Sequence, residues 1–506
     1  MGWRFYFPLF SKMIISPEKR DFSTIFHVIG RLCLGLSMFM LLPLFCALVF
    51  GEYEPFYDFL IGFLSTASLG FVLMLLFPFK KEIGWQHSFF IVSLGWLVAS
   101  VMGAIPLYLS RHWESFLDAW FEAMSGFATT GLILVKDLDH LSFSHNLWRH
   151  LTMFIGGQGI ILASISILSK VRNGSLGLYI GEGRQEKIFP NIIATARFIW
   201  KVSFIYLTVG VTLFTFLLSY KGLGISKAIV HGFCLFFASF DTGGFAPQSQ
   251  NIAYYHSFSL EIATMVFMLL GAINFNLHFW LWYKNKREIF RNFEIRTFII
   301  SLFSLTILLF FSLKPLTHSV IFRKGFYQLV SAHTGCGFTN LAPREILSFA
   351  PLSLTLLILA MGIGGGVCST TGGIKLLRLG FIFKAMAGEI KRAIMPHKAV
   401  YRESFHHLKD TLIEEKHLKE TFVIVGFYFL VYLLGGLMGL FHGYPPLASF
   451  FESVSAAANV GLSLGVTNPG MPSGLKLTYI CEMWMGRLEF LSIFVSLSYI
   501  VSLFKK

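Results

Sequence analysis

The sequence predicts an all-α integral membrane protein of about ten transmembrane helices, and three observations carry that prediction. Of 506 residues, 55% are hydrophobic and 13% charged, too little polar surface to face water on every side. Apolar runs long enough to cross a bilayer lie near 24–50, 57–79, 87–110, 147–169, 202–219, 258–283, 297–313, 350–374, 421–441 and 477–503. Between later pairs of runs, four connections share one pattern: an apolar segment too short to span, then small residues ending in Gly.

Arg4, Lys12, Lys19 and Arg20 precede the first run, which has full span length and no close small-residue cleavage site, so it is expected to stay in place. The first two runs form a leading hairpin, residues 1–86. Four units follow, at 87–190, 191–292, 293–418 and 419–506, each read as span, short re-entrant helix, Gly-ended segment, span. An even number of spans puts both termini on one side, and most Lys and Arg fall on that side, which predicts cytoplasmic N- and C-termini. The net charge of +14 is therefore chiefly a topology signal, with capacity for anionic headgroups or an acidic cytosolic partner and no indication of nucleic acid.

Cys33, Cys46, Cys234, Cys336, Cys368 and Cys481 are scattered without a CxxC pair, so neither a disulfide framework nor a zinc site is indicated. The largest cytoplasmic connection contains "RESFHHLKDTLIEEKHLKE" (402–420), which reads as an exposed helix of mixed charge with His406 and His407 in solvent. No cluster of nucleophile, base or metal ligands lies within the spans, and an enzyme is not expected.

The four external segments are "FLDAWFEAMSGFATTGL" (116–132), "AIVHGFCLFFASFDTGGF" (228–245), "GFYQLVSAHTGCGF" (325–338) and "LASFFESVSAAANVGL" (447–462). Non-helical backbone is tolerated at membrane depth only where protein buries it or it lines a wet cavity. One such segment would equally serve helix packing. Four on the same side favour a central arrangement in which backbone carbonyls replace the hydration shell of a monovalent cation. The C-terminal end of each short helix would add partial negative charge there.

These segments, together with "WRHLTMFIGGQGI" (148–160), "LGAINFNLHFW" (270–280), "GGGVCSTTGGIKLLR" (364–378) and "MGRLEFL" (485–491), resemble the Trk/Ktr/HKT superfamily of potassium transporters over nearly the whole chain. The leading hairpin resembles the Trk branch. The resemblance implies one filter glycine per unit, at Gly131, Gly244, Gly337 and Gly461. It also implies ion-holding carbonyls from Thr129 and Thr130, Thr242 and Gly243, Gly335 and Cys336, and Asn459 and Val460, with Gly131 favouring potassium over sodium. Asp241, Gly335 and Cys336 depart from the family pattern; Asp241 either attracts cations or braces its own loop.

"MGIGGGVCSTTGGIK" (361–375) interrupts the eighth run with a composition that no lipid-facing helix can hold, so it should face the pore. It lacks a complete GxGxxG and lies in a span, which excludes a dinucleotide site. By resemblance it is an intramembrane gating loop, including Gly364, Gly365, Gly366, Ser369, Thr370, Thr371, Gly372 and Gly373. Arg487, a charge inside the last run, is expected to bond its carbonyls, whereas a pair with Glu489, two residues away, is not favoured. The family further implies potassium as the transported ion, a cell inner membrane location, a homodimer and a cytosolic nucleotide-binding ring as partner. A sodium or mixed-cation transporter and a secondary transporter of a small organic solute are the alternatives, and coupling to protons or sodium is left open.

Overall fold

The computed structural model describes residues 19–80, 82–159, 175–184, 186, 188–313, 321–396 and 403–503. Helices α1 (Lys19–Phe50) and α2 (Tyr53–Leu76) form the leading hairpin. They approach closely at Gly30 and Gly70, where a methyl group on either glycine would lie 2.7 Å from the other's carbonyl oxygen. Small residues are what allow membrane helices this separation.

The first repeat consists of α3 (Trp85–Leu109), the short α4 (Phe116–Phe127) and α5 (Phe143–Gln158), followed by α6 (Ser175–Gly181). Ser115 caps α4 through the Asp118 amide, at 3.3 Å. Glu52, in the turn between α1 and α2, accepts the Phe143 and Ser144 amides at 2.8 and 3.0 Å and so caps α5 from outside the repeat. The second repeat runs through α7 (Ile192–Tyr220), α8 (Ile225–Phe240), α9 (Phe258–Ala272) and α10 (Phe275–Tyr283). The third comprises α11 (Phe293–Ser312), a π-helical turn at Ile321–Phe326, α12 (Tyr327–His333), α13 (Pro351–Gly362) and α14 (Leu376–Ile394). The fourth has α15 (Glu415–Phe441), α16 (Pro446–Ala457), α17 (Ser473–Arg487) and α18 (Leu491–Leu503).

Among the described residues six helices are long and apolar enough to cross a membrane, or eight if each of two bent pairs is one span. Those pairs are α9 with α10, bent by 101°, and α17 with α18, bent by 110°. The run at 350–374 is helical only to Gly362, and the run at 147–169 is described only to residue 159. The second crossing of a repeat is thus a half-helix that stops beside the Gly-ended turn. Three such stops are alike: a methyl group on Gly156, Gly271 or Gly486 would lie 1.8 Å from the carbonyl oxygen of Phe127, Phe240 or Ala457, the last turns of α4, α8 and α16. Hydropathy reads the runs at 258–283 and 477–503 as continuous because both halves of each bent pair are apolar.

The long connection between the third and fourth repeats differs from the sequence expectation. Strands β1 (Ser404–His407) and β2 (Lys409–Leu412) form an antiparallel hairpin, with Leu408 at φ +61° in its turn, and helix begins only at Glu415. Alternation explains it: Phe405 packs against Phe293 and Phe381, and His407 points the same way into a buried pocket. His407 is therefore not a solvated surface histidine.

Candidate functional site

The four Gly-ended turns meet in a closed ring. A methyl group on Gly131 would lie 2.3 Å from the Gly243 carbonyl oxygen, on Gly244 2.1 Å from that of Cys336, on Gly337 1.8 Å from that of Val460, and on Gly461 2.1 Å from that of Thr130. Each glycine Cα thus abuts a carbonyl of the next repeat, in the order one, two, three, four, one. Their φ values of +96°, +73°, +84° and +93° also require glycine.

Two residues earlier, Thr129, Thr242, Gly335 and Asn459 all adopt left-handed φ, between +50° and +70°. Three of these are not glycine, a strain that the surroundings must hold. They do so through one repeated bond, from the amide of Thr130, Gly243, Cys336 and Val460 to the carbonyl of Ser125, Ala238, Ser331 and Ser455, at 2.8 to 2.9 Å. Side chains are turned to neighbouring elements. Asn459 donates to the Thr130 hydroxyl at 3.0 Å, and the Cys336 thiol donates to the Ala238 carbonyl at 3.3 Å. Outside the ring lies a cavity of about 160 Å³ bordered by the four glycines and by Gln248, Asn251, Thr339 and Thr467, with no acidic side chain in its wall among the described residues.

The residues that support the ring were not singled out from the sequence. Glu122 accepts the Leu134 amide at 2.7 Å and pairs with Arg149 at 2.7 Å, both side chains fully buried. Glu452 stands at the same place in the fourth repeat and accepts the Leu464 and Val466 amides at 2.9 and 3.1 Å. Gln328 takes the position in the third repeat and donates to Thr339 and Asn340. A polar residue recurring inside three otherwise apolar re-entrant helices was the available signal.

Below the ring, on the side of α14 and the hairpin, the loop 363–375 runs from repeat to repeat. Thr370 donates to the Phe240 and Gly271 carbonyls at 3.1 and 3.0 Å and lies 3.1 Å from the Thr242 hydroxyl. Thr371 faces Gly335, and Gly372 fits against the Ala458 carbonyl, where a methyl group would be 2.4 Å away. The loop holds itself through Gly364 to Ile374 (2.8 Å), Gly365 to the Thr371 hydroxyl (2.9 Å) and Ser369 to the Gly366 carbonyl (2.6 Å). Gly366 also donates to Ala272 at 2.9 Å, and Gly373 turns the chain at φ +68°. Arg487 completes the circuit toward the first repeat, donating to the Thr370 carbonyl at 2.6 Å and the Gly156 carbonyl at 2.5 Å, with Thr129 at 3.4 Å. Glu489 pairs with Arg378 instead.

A family model described as a cation transport protein, TrkH, matches residues 57–502. The chain belongs to the TrkH family. It is 33% identical to an uncharacterised cation transporter of Methanocaldococcus jannaschii over 478 residues, covering 94% of this chain and 95% of that protein. It is 30% identical to the Trk system potassium uptake protein TrkH of Escherichia coli over 493 residues, 94% and 98% of the two chains. The crystal structure of the potassium transporter TrkH from Vibrio parahaemolyticus matches with a TM-score of 0.79 and 25% identity, covering 94% of this chain and 98% of that one. This TrkH-family chain is a Trk-type cation transporter and a multi-pass membrane protein, not an enzyme.

Proposed function

We propose that the chain carries gated potassium uptake as the transmembrane subunit of a Trk-type system, through a filter made by the four Gly-ended turns. The observation that carries this reading is the closed ring of glycine-to-carbonyl contacts at the ends of four re-entrant helices. Four carbonyl-bearing turns around one axis suit a dehydrated monovalent cation, and the helix C-termini add negative potential at their base. The ion-holding carbonyls are those of Thr129, Thr130, Thr242, Gly243, Gly335, Cys336, Asn459 and Val460. The loop 363–375 is the gate, and Arg487 is its latch.

Support for potassium comes from the Escherichia coli relative, which is named for potassium uptake, and from glycine at all four ring positions. The remaining parts rest on the resemblance: a pair of chains, a cytosolic nucleotide-binding ring docked on the basic loops, and an inner-membrane location with cytoplasmic termini. Purified protein in liposomes should pass potassium or rubidium down its gradient when one salt is substituted at a time. Equal sodium flux would make it a mixed-cation transporter. Flux of an organic solute without cation flux would overturn the reading.

A further inference from the structure

One edge of the molecule is built from the start of α7, the end of α10 and the connection from there into α11, and its charges are sorted. Lys284, Lys286, Arg287, Arg291 and Arg296 are exposed along that connection, and Arg197 and Lys201 are exposed one helical turn apart on α7. The two parts are joined, since Lys201 Nζ donates to the Tyr283 hydroxyl at 3.0 Å and Phe198 meets the Phe279 and Tyr283 rings. The connection also holds two carboxylates, Glu288 and Glu294, and both are buried. Glu288 pairs with His406 and accepts the Leu408 amide of the hairpin, while Glu294 accepts the Val367 amide. Among the described residues no carboxylate pairs with any of these exposed cations. Asp410 of the hairpin, which is exposed, is held by His406 at 2.7 Å.

The height of this edge decides what it meets. Both α7 and α11 are long and apolar enough to cross a membrane. On α7, exposed Phe204 and Ile205 follow Lys201 within about one helical turn; on α11, exposed Ile299 and Ile300 follow Arg296 in the same way. The cations therefore stand at the level where lipid-facing apolar side chains begin, which is the level of the headgroups. Phe290 is 75% exposed among them and Tyr283 54%. Lys284 lies over the Trp280 ring at 4.5 Å. A bare phenyl ring among unpaired cations is unfavourable against water. It is favourable at a bilayer boundary, where rings enter the acyl region and cations reach the phosphates. A soluble acidic protein would answer the charges and leave the apolar side chains beneath them unexplained.

We propose that this edge is a binding site for the anionic phospholipids of the surrounding bilayer, with Lys and Arg side chains on their phosphates and Phe290 and Tyr283 among the first acyl carbons. Basic clusters beside a transmembrane helix suit such lipids, because each cation adds its own attraction to an anionic surface. Phosphatidylcholine also carries a phosphate, but its trimethylammonium opposes the Lys and Arg charges, so the preference is for headgroups of net negative charge. The site stands apart from the ring and from the loop 363–375, and it does not depend on the gate reading above.

The test is competition between equimolar phosphatidylglycerol and phosphatidylcholine of matched acyl chains for the purified full chain in detergent, with bound lipids counted by native mass spectrometry. Wild type should retain phosphatidylglycerol in preference. The triple variant Lys286→Gln, Arg287→Gln, Arg291→Gln has no ion pair to lose among the described residues, and its preference should fall roughly tenfold or more. A second triple variant, Lys409→Gln, Lys416→Gln, Lys419→Gln, removes the same charge from the hairpin and the start of α15 and should keep the preference. Equal losses in the two variants would make the effect one of net charge and overturn the proposal. Equal retention of both lipids by wild type would also overturn it and leave the surface to a soluble acidic partner. Displacement of phosphatidylglycerol by inorganic phosphate would overturn it by showing a site for a free anion. A further measurement needs no variant: in liposomes of wild type, acetylation of Lys284 and Lys286 should slow about threefold relative to Lys409 when phosphatidylglycerol replaces phosphatidylcholine. An unchanged relative rate would count against the site.

Discussion

Arg487 donates one nitrogen to the Thr370 carbonyl at 2.6 Å and the other to the Gly156 carbonyl at 2.5 Å, so one side chain ties the loop under the ring to the end of the first repeat's half-helix. Each bond is charge-assisted, and the Gly156 carbonyl accepts the Gly159 amide at 3.1 Å as well. Replacing Arg487 with Ala should raise basal rubidium flux about tenfold or more, the equivalent of losing one such bond. Arg487→Lys should fall between, because a point charge cannot reach both carbonyls with a planar fork. Lost flux in correctly folded Arg487→Ala would mean that the arginine serves conduction rather than closure.

The ring predicts a graded response to side chains at its glycines. Gly337 is the tightest position, with φ +84° and a methyl group 1.8 Å from the Val460 oxygen, so Gly337→Ala should abolish flux. Gly131→Ser places its Cβ 2.3 Å from the Gly243 oxygen and must displace that carbonyl. A displaced carbonyl changes the coordination on which discrimination rests, so the potassium-to-sodium flux ratio should fall. An unchanged ratio in Gly131→Ser would count against these carbonyls as the filter.

Stability should depend on the Glu122 and Arg149 pair, which lies wholly out of solvent. Arg149→Met leaves the Glu122 charge buried with only the Leu134 amide as a hydrogen-bond donor, and loss of one partner of such a pair costs about 3–5 kcal/mol. Thermal unfolding in detergent should show a clear drop for Arg149→Met, and a smaller one when Glu122→Gln is added. A larger drop in the double variant would mean that the pair is not what holds the turn.

The repeat was legible in the sequence because its signals are local: Gly at the end of a sub-span apolar segment, four times, in register with the spans. The supports of the ring were not, because they act between segments far apart. Nothing near Gly157 in the sequence announces that Asp241 will lie against it, and Glu52 caps a helix from another part of the chain. The half-helix breaks at Ala272 and Arg487 were hidden for a different reason, since apolar composition on both sides of a bend looks like one span. The hairpin at 404–412 was misread as helix because its charged residues fit a solvated helical face as well as a strand edge. The difference was decided by burial of Phe405 and His407, which follows from what the hairpin docks on rather than from its own composition.

That hairpin yields a pH prediction. His407 donates toward Glu186 at 2.6 Å, lies 3.9 Å from Glu294 and 3.2 Å from the Asn292 amide, and shares its surroundings with Glu288, which pairs with His406. Burial alone would lower its pKa, but the Glu186 hydrogen bond and the charges of Glu186, Glu294 and Glu288 overcome this and raise it from 6.5 to about 9. A raised histidine pKa stabilises the fold fully below the unfolded value near 6.5, and that contribution is lost as pH rises through about 9. The shift corresponds to about 3 kcal/mol in total. Wild type should therefore lose thermal stability between pH 6.5 and 9.5 more steeply than His407→Gln, and amide exchange across 404–412 should quicken over the same interval beyond its intrinsic base catalysis. The effect should reach the loop 363–375, because Glu294 also accepts the Val367 amide at 2.7 Å and the Glu186 carbonyl accepts the Cys368 thiol at 3.6 Å. Parallel pH profiles for the two proteins would show that His407 stays neutral against these carboxylates.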